Sequence, residues 1–245
     1  MEWADEAVVL GVHVHGEHAM MLDVLTRAHG RHAGLVRGGV SRKVRADLQP
    51  GNSLHVVWRA RLAEHLGSFT TEPIKARSGA LMEVRERLVG LNAFTVMVHA
   101  SLPEREPHEG VFGAGLVLLD AMIAADAIDW LALYVRWEVG LLTELGFGLD
   151  LSCCAATGAN EDLTHVSPKS GRAVSAAAAA PYRDRLLKLP PFLLGAQNAV
   201  SPGDVQAGLA LTEHFLAHRV FYPHGQEVPG ARLQLQELVT RLDSV

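Results

Sequence analysis

Three sets of residues in this 245-residue chain have types and spacings that could do chemistry. The first is a run of six cations, Arg27, Arg31, Arg37, Arg42, Lys43 and Arg45, between Asp23 and Asp47, with no acid among them. Gly30, Gly34, Gly38 and Gly39 punctuate the run. Such a stretch suits a phosphate backbone: cations neutralise phosphates and release counterions, which gives sequence-independent affinity. Glycines let a polyanion approach the main chain. Arg59 and Arg61 follow Trp58, so a Trp–Arg face is a further option beside a core role for the indole. The competing reading of the whole run is a solvated basic loop. The second set is His13-Val14-His15. Two histidines two apart on a strand share one face, as in metal-dependent hydrolases. Nothing else in the chain supplies further ligands, so surface or barrel-rim histidine is the preferred role. The third set is the adjacent pair Cys153 and Cys154.

Other catalytic patterns are missing from the sequence. There is no G-x-x-x-x-G-K-[ST] loop to cradle a nucleotide and no G-x-S-x-G elbow. No enzyme activity and no cofactor are expected. Thirteen histidines scatter along the chain; protonation of His29 and His32 below about pH 6.5 is expected to strengthen phosphate binding.

The elements that must position these residues fall into two halves. Strand patterns cover 7–14, 18–26, 31–37, 54–62 and 67–74, separated by glycine-bearing turns. Five short strands suggest a small barrel or sandwich. The basic connection 38–52 is long for a hairpin and reads as a mobile loop with one helical turn. From about residue 78 the period changes to that of helices, expected over 79–92, 109–125, 126–147, 202–219 and 232–242. Trp130, Leu133, Trp137, Leu141 and Leu145 share one face of the helix expected over 126–147, at spacings of three and four. The stretch 148–181 reads as an irregular insert. The expected domains are 1–78 and 79–245, in an α+β chain.

Charge divides at the same place. Residues 1–79 hold ten Lys/Arg and eight Asp/Glu, about +2, whereas the remainder carries about −7 of the total −5. The total alone argues against a basic nucleic-acid binder; its distribution does not. No charge-free window of membrane-spanning length exists, the first residues are acidic, and two adjacent cysteines make no disulfide framework. A cytoplasmic, nucleoid-associated protein is the expectation.

Several segments, in order, resemble the bacterial recombination mediator family RecO: HGRHAGLVRGGVSRK, LQPGN, WRARLAEHLGSF, LDLSCCAATGANEDLTHVSPKSGRAVS, PYRDRLLKLPPFL and HRVFYPHG. The resemblance spans about 5–240 and is of the alphaproteobacterial type. It implies an N-terminal five-stranded OB-fold β-barrel and an α-helical C-terminal domain with a degenerate zinc-ribbon-like segment. It implies binding of single- and double-stranded DNA, annealing of complementary strands, and a DNA-repair role. It implies RecR as partner, the C-terminal tail of single-stranded DNA-binding protein as a second, and RecA indirectly. Arg31, Arg37, Arg42, Lys43, Arg45, Arg59 and Arg61 are then the candidate DNA-binding residues. Arg136, which matches a basic position of the family's long helix, is the candidate receptor for the acidic tail. Arg219 and Arg232 are further candidates, with helix-surface ion pairing as their competing role. Many members carry a four-cysteine zinc site; here Cys154 stands with Thr157 in the second position, and 171–178 holds no cysteine. A metal-free remnant is expected. The alternative to a DNA binder is a barrel serving only as a protein-interaction module.

Overall fold

A computed structural model describes residues 1–195 and 199–243. Five strands form a closed barrel: β1 (Glu2–His15), β2 (Ala19–Thr26), β3 (Gly30–Arg37), β4 (Ser53–Arg59) and β5 (Ser68–Lys75), in the order β1-β2-β3-β5-β4. This is the OB-fold arrangement. The first strand serves two neighbours. Its start pairs antiparallel with β4 (Trp3 opposite Trp58) and its end with β2 (His13 opposite Met21). A register shift between Val9 and Gly11 bends it between the two roles. The polar start, Glu2–Glu6, extends the strand beyond the apolar run at 7–14 because β4 supplies its partners.

Alternation fills the interior. Met20, Leu22 and Val24 point inward from β2, and Leu54, Val56 and Trp58 from β4. Between β3 and β4 lies α1 (Arg42–Asp47). Leu48, at its C-terminal end, is fully buried in the same core, and Val44 packs partly against it. The barrel closes through only two parallel pairs, Leu35–Ser68 and Val36–Phe69.

The chain divides into two compact units, 1–124 and from 125 onward. Strand gives way to helix at 75–78, yet α2 (Ser78–Glu83), α3 (Arg85–Ser101) and α4 (Glu109–Ala124) belong to the barrel's unit. Ion pairs account for part of this. Asp120 of α4 accepts from Lys75 Nζ at 2.7 Å and Arg77 Nε at 2.6 Å. The helix expected over 79–92 is two, because Val84 is extended between them (φ −112, ψ 124); the second runs on to Ser101.

The second unit contains α5 (Ala127–Glu144), with Trp130, Trp137 and Leu141 buried. Asp126 is its N-cap residue, and Gly146 beyond its end takes φ +84, which glycine adopts freely. The stretch expected to be irregular holds β6 (Leu163–Val166) and β7 (Ala173–Ser175), joined by β8 (Leu187–Lys188) in a three-stranded sheet, with α6 (Ala176–Ala179) after β7. α7 (Pro202–Phe215) starts with a Ser201–Asp204 capping box and passes into a π-helical turn over Leu216–Phe221. α8 (Gly230–Leu242) closes the described chain. Among the described residues, no helix is long and apolar enough to cross a membrane.

Candidate nucleic-acid interface

The barrel's closing seam places the cations. Beyond Val36 and Phe69 the strands β3 and β5 separate, and α1 lies over the gap. A cavity of about 430 Å³ opens there, lined by Val36, Arg37, Val44, Ser68, Thr70 and Thr71. In α1, Val44 and Leu48 are four apart and turn to the core, which leaves Arg42, Lys43 and Arg45 exposed. Asn52 holds the helix in place. Its Nδ2 donates to the carbonyls of Ala46 (3.1 Å) and Asp47 (3.0 Å), and its Oδ1 accepts from the amides of Arg77 (2.8 Å) and Ser78 (2.9 Å). At the entry to the connection Gly39 packs so closely on Met20 that a Cβ would sit 2.8 Å from its Cγ.

The seven candidate DNA-contacting residues therefore separate by environment. Arg37 lines the gap, and Arg42, Lys43 and Arg45 lie on α1, whose Val44 lines it too; all four are exposed and have no ion-pair partner among the described residues. Ser68, Thr70 and Thr71 line the gap with Arg37, a contribution not read from the sequence although the SFTT run of β5 carries it. Arg61 is exposed on the connection between β4 and β5. Arg59 pairs with Glu2 at 2.7 Å on the surface.

Arg31 differs from all of these. Its side chain is 11% exposed, lies 3.6 Å from Asp23 and 3.5 Å from Glu104, and donates from Nε to the Leu102 carbonyl at 3.2 Å. Burial pushes the Asp23 carboxyl up, against the pull of Arg31. The guanidinium is thus a tie between the barrel and the segment after α3, and its place among phosphate ligands is corrected accordingly.

Trp58 takes the core role open to it, and the expectation for His32 is corrected. Trp58 is 2% exposed and donates from Nε1 to the Leu66 carbonyl at 3.0 Å. It sits in an aromatic cluster with Trp3, His32 and Phe69, so no Trp–Arg stacking face exists. His32 is buried in that cluster, and desolvation, with the nearby Arg105, lowers its pKa to about 4. It stays neutral at the pH where it was expected to join the basic surface. His29 is stacked on Trp3 at 4.0 Å, and its Nδ1 lies 3.1 Å from Asp5 Oδ2.

The three arginines considered for protein partners occupy unlike settings. Arg232 is fully buried, bonded to Glu138 at 2.9 Å from both Nε and Nη2 and to Glu213 at 3.2 Å from Nη1. No partner reaches it; the candidate is removed for that reason. Arg136 is exposed, donates to the Phe192 carbonyl at 2.7 Å and lies over the Phe192 ring. Arg219 is exposed and donates to the Lys169 carbonyl at 2.7 Å.

At the cysteines, the Cys154 thiol accepts from the Ser175 amide (3.3 Å) and the Ser175 hydroxyl (3.4 Å). These bonds, with one from Thr157, bring its pKa down to about 6. One thiol with two hydroxyls does not fit a structural zinc ion, which needs four thiolate, imidazole or carboxylate donors. Hydrogen bonds hold the turn: the Gly158 amide donates to the Cys154 carbonyl at 2.8 Å and the Cys154 amide to Ala159 at 2.7 Å. His13 and His15 are exposed near the tip of the β1–β2 hairpin. Among the described residues no three His, Cys, Asp or Glu side chains converge as a metal site.

The comparisons with known proteins agree in both halves. The model of the family Recombination protein O N terminal matches residues 1–77, and that of Recombination protein O C terminal matches 82–226. The chain belongs to the RecO family. It is 52% identical over 243 residues to a DNA repair protein RecO of Cereibacter sphaeroides, covering 98% of this chain and 100% of that one. It is 51% identical over 234 residues to that of Rhodospirillum centenum (95% and 92%). It is 48% identical over 247 residues to that of Caulobacter vibrioides (100% of each). The RecO N-terminal match ends within two residues of Lys75, the last residue of the barrel, so the seam cations and α1 lie inside it.

Proposed function

We propose that this RecO-family chain is a non-enzymatic DNA-repair mediator whose barrel holds DNA backbones at the β3–β5 seam. The observation that carries the reading is the set of exposed cations on β3 and α1, Arg37, Arg42, Lys43 and Arg45, with no ion-pair partner among the described residues and with Arg37 lining the gap. Cations so placed can hold phosphates of single- or double-stranded DNA without reading bases. Neutralising two strands at one surface lowers their mutual repulsion, so complementary bases can pair with no nucleotide hydrolysis. Membership in the RecO family supports the remaining steps: annealing, partnership with RecR, contact with the tail of single-stranded DNA-binding protein, and loading of RecA on DNA coated by that protein. For the tail, Arg136 beside Phe192 offers a cation and an apolar ring together, with Arg219 a second exposed cation.

The test is binding of fluorescent single-stranded DNA across a salt series, followed by annealing of complementary oligonucleotides coated with the cognate single-stranded DNA-binding protein, with and without RecR. Salt-sensitive binding that depends on the seam cations supports the reading. Absence of such binding at micromolar protein overturns it and leaves the barrel a protein-interaction module.

A further inference from the structure

A second cluster of cations lies in the helical unit. A cavity of about 480 Å³ opens between β6, β8 and the start of α7. Arg183, Lys188 and His165 line it from three different elements, together with Ser201, Gly203 and Asp204. Arg183 belongs to the 3₁₀ segment after α6, Lys188 to β8 and His165 to β6. Arg183 and Lys188 are exposed and have no ion-pair partner among the described residues.

His165 is 8% exposed, yet it is one wall of this cavity. Its Nδ1 is engaged with the Thr164 hydroxyl at 2.9 Å, while Nε2 has no partner among the described residues. Burial, then the charges of Arg183 and Lys188, hold its pKa below the ordinary imidazole value. The one carboxylate on the lining, Asp204, accepts from the Ser201 hydroxyl (2.6 Å) and amide (3.1 Å) in the capping box. Its charge is thereby directed to the helix terminus. The N-terminal turn of a 14-residue helix adds partial positive charge to the same wall. Two cations from separate elements, a helix N-terminus and a ring nitrogen with no hydrogen bond among the described residues thus border one open space.

We propose that this cavity is a phosphate-binding site in the helical unit, with Arg183 and Lys188 as the charged ligands and His165 Nε2 as a third donor once protonated. The phosphate can come from a nucleic-acid strand or from a free phosphate ester; the recognition chemistry is the same. The site does not depend on the barrel's role, since none of its residues lies at the seam.

The experiment follows the His165 imidazole by NMR in the full chain, titrated separately with inorganic phosphate, a 5′-phosphorylated dinucleotide, an unphosphorylated single-stranded oligonucleotide and an acidic peptide. The expected result is a saturable shift and a raised His165 pKa, since an anion relieves the repulsion from Arg183 and Lys188. Response to the first two ligands alone assigns free phosphate esters; response to the oligonucleotide as well assigns strand phosphates. Arg183→Gln with Lys188→Gln, both surface changes that should leave thermal unfolding unaltered, should weaken binding by about tenfold or more. Arg42→Ala with Lys43→Ala should leave the His165 shift intact, which separates this site from the barrel. No saturable shift with any phosphate, a shift that survives the Arg183/Lys188 double substitution, or a shift caused by the peptide alone would each overturn the proposal.

Discussion

Arg232 and Glu138 form a bidentate ion pair, two hydrogen bonds of 2.9 Å, with both side chains fully buried. They stand 94 residues apart and join α8 to α5. The third member, Glu213, brings in α7, and Thr212 and the Leu209 carbonyl complete the guanidinium's bonds. A buried pair gains little over apolar packing, but breaking one side strands a charge. Arg232→Ala should therefore cost about 3–5 kcal/mol of stability, read as a lowered urea midpoint. Arg232→Met combined with Glu138→Leu should recover most of that loss. A single substitution that left the midpoint unchanged would remove this pair as the tie among the three helices.

At the seam, Arg42→Ala with Lys43→Ala should weaken DNA binding uniformly across sequences. The slope of log affinity against log salt should fall by about one to two. A changed base preference with an unchanged slope would contradict phosphate holding. Arg31→Ala is the contrasting case: its partners are Asp23 and Glu104, so stability should drop while the salt slope stays put.

Asn52 offers a test that removes no charge. Asn52→Ala deprives two carbonyls at the end of α1 and two amides at the start of α2 of their partner. A loss of about 1–3 kcal/mol is expected in thermal or chemical unfolding. DNA affinity should fall as well, because α1 loses its anchor, with the salt slope retained. Unaltered affinity would mean that α1 need not be held for binding.

His32 makes the barrel acid-sensitive. Its folded pKa of about 4 lies below the ordinary 6.5, so the unfolded chain takes up the proton first as pH falls. The stability it contributes is fully present above about pH 6.5 and is lost progressively down to about pH 4, by about 3 kcal/mol at most. His32→Phe should flatten the profile of unfolding midpoint against pH in that window. An unchanged profile would place the acid sensitivity elsewhere.

The barrel was legible because five short runs rich in strand-forming residues are separated by turns that carry glycine. The three-stranded sheet was not, because strands of two to four residues leave too short a pattern. In the site, Arg37 and Arg31 look alike in the chain. What separates them is Glu104, 73 positions from Arg31 and brought alongside only by folding. Arg232 was readable in retrospect. With Leu235 and Val239 it makes the i, i+3, i+7 pattern of a buried face, and a charge on such a face calls for an internal partner. The hydroxyls of β5 gave no comparable signal, since Ser and Thr are ordinary in strands.

The barrel's packed interior has a topological consequence. Side chains fill the ring, so its cations face outward and nothing threads it. If those cations hold DNA, a strand is laid on sideways at any point along its length. That geometry would suit DNA whose ends are distant or already occupied.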